Sequence, residues 1–166
     1  MGKIYTALGL MSGTSLDGVD VSIIESDGNK EYSPILDRYF EYDNEILRKL
    51  LKLRKKITTS KDLNLYEKEI DILEREITLF QAEAVKDTLK KKNLMIDLIG
   101  FHGQTIFHDA KKKISKQLGD GKLLSQLTKK KVVYDFRQND LKNDGQGAPL
   151  APIFHNALVS KINKKF

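Results

Sequence analysis

The chain has 166 residues, and its shares of hydrophobic (40%) and charged (31%) side chains suit one soluble globular domain with its own core. The lack of cysteine excludes disulfides and thiolate metal sites, and no apolar run approaches the ~20 residues of a membrane span. The net charge of +6 comes mostly from short runs of lysine scattered along the chain. This distribution favours a solvated basic surface. Weak, salt-sensitive attraction to polyanions stays open, but no specific nucleic-acid site is expected. Because no signal peptide precedes the first strand pattern, we expect a cytoplasmic location.

The first pattern is a pair of short strands joined by a polar loop. Residues 4–10 are apolar and rich in strand formers, and residues 19–23 alternate apolar with polar side chains. Between them the loop packs glycines, hydroxyls and the carboxylate of Asp17 into six positions. Glycine lets a ligand approach the backbone, and successive N–H groups of a turn form a nest for an anion. Asp17 suits such a site if Mg²⁺ lies between it and a phosphate, although a plain β-hairpin explains the glycines equally well.

A third strand and two helices are predicted next. Residues 35–42 read as a strand, and Asp43 is placed to cap a helix that fades near Ile57. A longer helix follows over residues 61–91, with Ser60 as its cap. Its apolar side chains are spaced by alternating threes and fours, at Leu63, Tyr66, Ile70, Leu73, Ile77, Phe80 and Ala84. This stripe favours a helix packed on the sheet over a coiled-coil seam.

Polar side chains follow a predicted buried strand in the second half of the chain. Residues 95–101 form a near-continuous apolar run, as expected of a strand covered on both faces, and His102-Gly103-Gln104-Thr105 come directly after it. In α/β folds, ligands bind beyond the carboxyl ends of strands. These residues therefore indicate a binding site, with a simple turn as the alternative. Residues 111–117 read as a polar connection.

The last elements repeat this arrangement. A helix is predicted from Asp120-Gly121 through Leu127, and a strand over residues 131–136. Asp135 and Arg137 would point to the same side if the strand continues, where they suit sugar hydroxyls or a carboxylate, or form a structural ion pair. Pro149 then fits the first turn of a helix that runs to Ile162. Strands interspersed with helices predict an α/β fold.

Four motifs resemble those of the anhydro-N-acetylmuramic acid kinase family. Gly-Leu-Met-Ser-Gly-Thr-Ser-Leu-Asp-Gly-Val-Asp at 9–20 is similar to its phosphate-loop signature. The later motifs follow in the family's order: Phe-His-Gly-Gln-Thr-Ile at 101–106, Gln-Leu-Gly-Asp-Gly at 117–121, and Asp-Phe-Arg at 135–137 with Gly-Gln-Gly-Ala-Pro-Leu at 145–150 and Phe154-His155. The resemblance covers essentially the whole chain.

The resemblance implies a fold and a reaction. The fold is α/β, an RNase H-like mixed sheet with flanking helices, as in the N-terminal domain of an actin-like ATPase-fold kinase. Residues 1–166 would form that domain, and the chain would run into the start of a second half after about residue 145. The family uses ATP, with Mg²⁺, and water to open 1,6-anhydro-N-acetylmuramic acid, giving N-acetylmuramic acid 6-phosphate in cell-wall recycling.

The resemblance also implies which residues bind. The phosphates of ATP would lie along Gly13, Thr14, Ser15, Leu16, Asp17, Gly18, Val19 and Asp20, with Asp17 near the metal. The sugar side of the cleft would be formed by His102, Gln104, Thr105, Asp135 and Arg137. The family's general-base aspartate would lie beyond Phe166, so no catalytic base is assigned within this chain.

Family members are about twice this length, so the expectation is a truncated kinase, the N-terminal half. Its partner would be a separately encoded C-terminal half, and a homodimer stays open. The alternatives are an inactive remnant or an interaction module with exposed apolar faces. A nuclease on an RNase H-like sheet, using Asp17 and Asp20, is a further hypothesis.

Overall fold

The strands form one mixed sheet within residues 3–163, which are the residues that this computed structural model describes, apart from the side chains of 91–92 and 161–163. The strands are β1 (Tyr5–Ser12), β2 (Gly18–Ser26), β3 (Tyr32–Glu41), β4 (Leu98–Asp109), β5 (Ile114–Leu118) and β6 (Lys131–Tyr134). The helices are α1 (Asn44–Lys56), α2 (Ser60–Leu65), α3 (Glu67–Lys92), α4 (Gly121–Thr128), α5 (Phe136–Lys142) and α6 (Pro152–Asn163).

The sheet has the order β3-β2-β1-β4, after which β4 pairs with both β5 and β6. The three N-terminal strands are antiparallel neighbours, whereas β4 runs parallel to β1 and to β6. β5 pairs antiparallel with the second half of β4. The α/β class and the RNase H-like mixed sheet predicted from the sequence are confirmed.

Helices cover one face of this sheet. The core between them contains strand residues such as Leu8, Val21, Ile23, Ile99 and Phe101, and helix residues such as Leu50, Leu53, Leu73, Ile77 and Leu124. On the other face, Met11, Tyr39 and Val133 are exposed. One face is therefore packed by helices and the other is only partly covered, since the Phe136 ring of α5 lies over Gly100. A ligand can reach the strands on this second face.

The helix predictions are largely confirmed. Asp43 caps α1 by accepting hydrogen bonds from the N–H groups of Glu45 and Ile46, and the apolar stripe of α3 packs on the sheet. The long predicted helix is interrupted at Tyr66, however, and Thr59 rather than Ser60 precedes its first part. Asp62 accepts from the N–H groups of Thr58 and Thr59, which fixes that start one residue earlier. None of the helices in residues 3–163 is long and apolar enough to cross a membrane.

Four predictions for the second half are wrong. β4 begins at Leu98 and runs through His102–Thr105 to Asp109, so these residues lie inside the strand, and its burial alternates because only one face is covered. The connection predicted to be polar contains β5, which gives the extended β4 a partner. The last strand ends at Tyr134, and Pro149 precedes α6 rather than starting it.

Candidate functional site

The loop between β1 and β2 is held in one conformation from within. The N–H of Leu16 donates to the carbonyl of Gly13 at 3.3 Å, which closes a turn. Leu16 has a φ of 65°, in the left-handed region that a non-glycine residue rarely adopts. Its side chain is buried in the core at 1% exposure, and this burial compensates for the unfavourable backbone conformation.

Three carbonyl groups of this loop accept hydrogen bonds from other parts of the chain. The side-chain amide of Gln104 donates to Gly13 O at 2.8 Å, and the Arg54 guanidinium donates to Thr14 O at 2.7 Å. The N–H of Tyr42 donates to the carbonyl of Asp17 at 2.9 Å. Strand β4, helix α1 and the end of β3 therefore all hold the loop by its oxygen atoms.

This arrangement directs the loop's donors outward. In a trans peptide the C=O and the N–H point in opposite directions, so anchoring Gly13 O and Thr14 O aims the next two N–H groups away from the protein. Those are the N–H groups of Thr14 and Ser15, and neither has a hydrogen-bond partner within the described residues. Two successive free N–H groups on an exposed turn are the donors of an anion nest.

Asp17 adds a single carboxylate beside these donors. Ser15 Oγ donates to its Oδ1 at 2.5 Å, and this hydrogen bond lowers the pKa of Asp17. The side chain is exposed, so it can serve as one ligand of Mg²⁺ while phosphate and water supply the others. Among the described residues no three His, Asp or Glu side chains lie close enough together to hold a metal ion.

A buried polar cluster supports the loop from below. Ser12 Oγ and Tyr42 Oη lie 2.9 Å apart, and the amide of Gln81 donates towards both oxygens at 3.3 and 3.4 Å. Burial raises the pKa of Tyr42. The amide oxygens of Gln81 and Gln104 are buried without a partner among the described residues. Both amides are therefore oriented to donate, and their donor groups hold the end of β1 and the loop.

A cavity of about 630 Å³ opens on the partly covered face of the sheet. Its floor contains Gly9 and Gly100, which are neighbours across the parallel β1–β4 pair. A Cβ at Gly9 would have no neighbour closer than Ser22 O at 3.9 Å, whereas one at Gly100 would meet the Phe136 ring at 3.6 Å, so the floor is most open at Gly9. The walls combine apolar and polar side chains, namely Met11, Phe136, Asp20, Ser22, His102 and Arg137, and residues 148–151 close one side.

Within this cavity, His102 and Arg137 form a fixed pair. The ring nitrogen Nδ1 of His102 lies 2.8 Å from Gly103 O, so it carries the proton and donates. Its other nitrogen, Nε2, accepts from Nε and Nη2 of Arg137 at 3.1 and 2.8 Å. Burial lowers the pKa of His102, and the nearby Arg137 charge lowers it further against the opposing effect of Gly103 O. The histidine is thereby kept neutral.

The structure separates the other residues predicted for the sugar side. Gln104 is buried beneath the loop, and Thr105 Oγ1 accepts a hydrogen bond from Gln117. Asp135 lines a different hollow of about 270 Å³ together with Lys116 and Asp120. Asp135 and Arg137 were expected to point to the same side if the strand continued, but the strand ends at Tyr134 and Asp135 adopts a left-handed φ of 59° before α5.

The residues predicted for the phosphate side divide in a similar way. Thr14, Ser15 and Asp17 are exposed on the loop, and Asp20 lies in the cavity wall. The side chains of Leu16 and Val19 are buried in the core, so only their backbone can face a ligand. Gly18 is packed against Tyr39 and Phe40, which leaves no room for a Cβ.

Sequence reasoning missed two contributors. Arg54 lies within the helix predicted after Asp43 and gave no separate signal, although it donates to Thr14 O from 40 residues away. Gly9 and Gly100 gave no separate signal, because their pairing depends on the strand register. The one available hint for the floor was a glycine inside each of two strand patterns, which often marks a close approach to the backbone.

The sequence matches a known family over nearly its whole length. The family described as Anhydro-N-acetylmuramic acid kinase has a sequence model that matches residues 5–166. A protein of Pelagibacter ubique with that name is 61% identical over 166 residues, covering 99% of this chain and 44% of the relative. A relative of the same name from Agrobacterium fabrum is 41% identical, covering 100% of this chain and 45% of the relative. Another, from Zymomonas mobilis, is 45% identical and covers 95% of this chain and 44% of the relative. The chain thus spans less than half the length of the curated relatives it matches.

Proposed function

The chain belongs to the anhydro-N-acetylmuramic acid kinase family, and on that premise we propose that it forms the N-terminal half of such a kinase. The family consists of sugar kinases with an actin-like ATPase fold, and the RNase H-like sheet described above is the matching half of that fold. The proposed reaction consumes ATP and water, opens the 1,6-anhydro ring of anhydro-N-acetylmuramic acid and leaves N-acetylmuramic acid 6-phosphate. Its setting would be the recycling of cell-wall sugars in the cytoplasm.

One observation carries this proposal: the free N–H groups of Thr14 and Ser15, aimed outward by the anchored carbonyls of residues 13 and 14. Such donors bind phosphate oxygens without needing a charged side chain. Asp17 would hold Mg²⁺, which neutralises phosphate charge when it is bound. Phosphoryl transfer depends mainly on positioning and on charge stabilisation, and this loop supplies the first of these.

The cavity beside the loop suits the sugar. Its open glycine floor and its mixture of apolar and polar walls can accept a ring that carries hydroxyl groups. Of the residues assigned to the sugar by resemblance, we propose a direct contact for Arg137, which His102 holds in place. Asp20, assigned to the phosphate side by resemblance, lines the same cavity and would accept from a hydroxyl. Gln104 would act indirectly through Gly13 O.

The remaining functions of the kinase would come from the part of the relatives that this chain does not span. That part would supply the general base and the adenosine pocket, as the family resemblance implies. The nuclease alternative gains no support, because no cluster of three acidic or histidine ligands occurs within residues 3–163. Dimerisation stays a prediction.

The test is to supply the missing half. The chain is expressed alone and together with the C-terminal portion of the Pelagibacter ubique relative, which is 61% identical over the shared part. We expect ATP-dependent conversion of the anhydro sugar by the pair, with one ¹⁸O from labelled water in the phosphorylated product. Each half alone is the control. No product from the two halves together would show that this chain is not a working kinase subunit.

A further inference from the structure

The guanidinium of Arg137 lines the cavity and forms no ion pair with an acidic side chain of the described residues. We propose that it binds the carboxylate of the sugar substrate and that His102 is a positioning residue that holds it in place. This inference rests on the proposed function, because it takes the cavity to be the sugar site. Beyond the proposed function, the inference names the carboxylate as the group of the sugar that the cavity recognises.

The hydrogen bonds of Arg137 leave two donors free. A guanidinium has five N–H groups. Two donate to His102 Nε2, and one on Nη1 donates to Gly147 O at 2.6 Å. This leaves one N–H on each terminal nitrogen without a partner in residues 3–163. Two terminal N–H groups are the fork that binds both oxygens of a carboxylate.

The charge of Arg137 is not neutralised by the protein. No ion pair formed by the described residues includes this side chain, whereas Arg38, Lys49 and Lys56 each have an acidic partner. Asp20 lines the same cavity but makes no ion pair with it. A partly buried cation without a counter-ion is unfavourable unless a ligand supplies the negative charge.

The side chain next to Arg137 is a neutral histidine, and this supports the proposal that Arg137 binds a carboxylate. A carboxylate next to Arg137 would fix the guanidinium but would also neutralise it. Neutral His102 fixes it through a lone pair and leaves the positive charge intact, because Nδ1 keeps its proton on Gly103 O. Gly147, which receives the third N–H, is itself held by the Asp140 carboxylate at 2.6 Å. The arginine is thus oriented from two sides by groups that do not cancel its charge.

A carboxylate is the anion that fits best. The phosphate donors lie on the loop, and the cavity offers a single guanidinium over a floor of glycine backbone. A muramic acid differs from the corresponding glucosamine by an ether-linked lactic acid, so its carboxylate is the feature that distinguishes the two sugars. Recognition through Arg137 would make the cavity selective for the acid.

The experiment compares two sugars that differ in this group. N-Acetylmuramic acid and N-acetylglucosamine are titrated into the full chain, and binding is followed by amide shifts in NMR spectra. We expect about tenfold or greater preference for the acid, since charge-assisted bidentate bonds are the strong ones. Arg137→Gln should reduce the affinity for the acid to that for the neutral sugar. Arg48→Gln, an exposed arginine on α1, is the matched control.

The role of His102 has its own readout. His102→Gln keeps an oxygen that can accept from Arg137, so the preference should be retained, whereas His102→Leu should lose it. Lactate and inorganic phosphate are titrated as well. If they bind as tightly as N-acetylmuramic acid and respond equally to Arg137→Gln, the site is a general anion site and the inference is wrong.

The outcomes separate this inference from the proposed function. Equal affinity of the unmodified chain for the two sugars, or an unchanged preference in Arg137→Gln, would overturn the carboxylate assignment alone. Failure of both sugars to bind would overturn the sugar-side assignment of the cavity as well. The kinase assignment itself is decided by the reconstituted activity of the two halves.

Discussion

Gln104 and Gly13 are joined by a hydrogen bond of 2.8 Å between a buried side-chain amide and a loop carbonyl, across 91 residues of sequence. The contact links β4, the strand that also carries His102, to the loop that we propose binds phosphate. The two halves of the candidate site are therefore attached to one strand. A change in Gln104 should affect the loop while leaving the cavity in place.

Replacing Gln104 with leucine removes the donor that directs the Gly13 carbonyl inward. We expect the affinity of the chain for pyrophosphate to fall about fivefold, because the Thr14 N–H is no longer held outward. The loss of stability should be only about 1 kcal/mol, since the unpartnered amide oxygen is removed together with the donor. Titration and urea denaturation measure the two effects. Gln126→Leu, an exposed glutamine on α4, is the control, and an unaltered affinity in Gln104→Leu would refute the role.

Arg54, on helix α1, is expected to act on the same loop between β1 and β2. Its guanidinium holds Thr14 O at 2.7 Å, and this contact sets the direction of the Ser15 N–H. Arg54→Gln should weaken pyrophosphate binding about fivefold and shift the Ser15 amide resonance, with a change in melting temperature below about 3 °C. Arg48→Gln tests whether the loss of any positive charge on α1 is enough to weaken pyrophosphate binding. Equal weakening in both variants would point to general electrostatics instead of positioning.

Much of this fold could be predicted because its signals are local. The cap at Asp43 and the stripe of α3 depend on spacing within one element, and both are confirmed. The continuation of β4 depends on β5, a partner strand, and on the left-handed φ of 72° at Gly103. The turn at Asp135 likewise takes Arg137 away from the direction that strand alternation implies. The candidate site lies mainly where such long-range contacts decide, so the sequence indicated candidate residues but not their arrangement.

Alanine substitutions at two glycines distinguish the stability cost of a left-handed backbone from that of a steric clash of the added Cβ. Gly28 and Gly103 have φ values of 73° and 72°, but a Cβ on Gly28 would meet nothing within 4 Å, whereas one on Gly103 would lie 2.5 Å from Leu118 O. We expect Gly28→Ala to cost about 1 kcal/mol of unfolding free energy and Gly103→Ala about 3 kcal/mol. Urea denaturation of both variants gives the difference. Equal costs would mean that β5 moves aside without penalty.

The neutral state of His102 should make the stability depend on pH. Burial and the charge of Arg137 lower the pKa of His102 below its ordinary value of 6.5, so between the folded pKa and 6.5 the unfolded chain binds more protons than the folded one. The unfolding free energy should therefore decrease as pH falls from 6.5 towards the folded pKa, and this contribution should be constant above 6.5. His102→Gln cannot titrate and retains an acceptor for Arg137, so it should lack this part of the decrease. Urea denaturation from about pH 8 to about pH 5 measures the difference, with His155→Gln on α6 as the control for loss of a histidine. If unmodified chain and His102→Gln lost stability in parallel over this range, the histidine would not be held neutral by the fold.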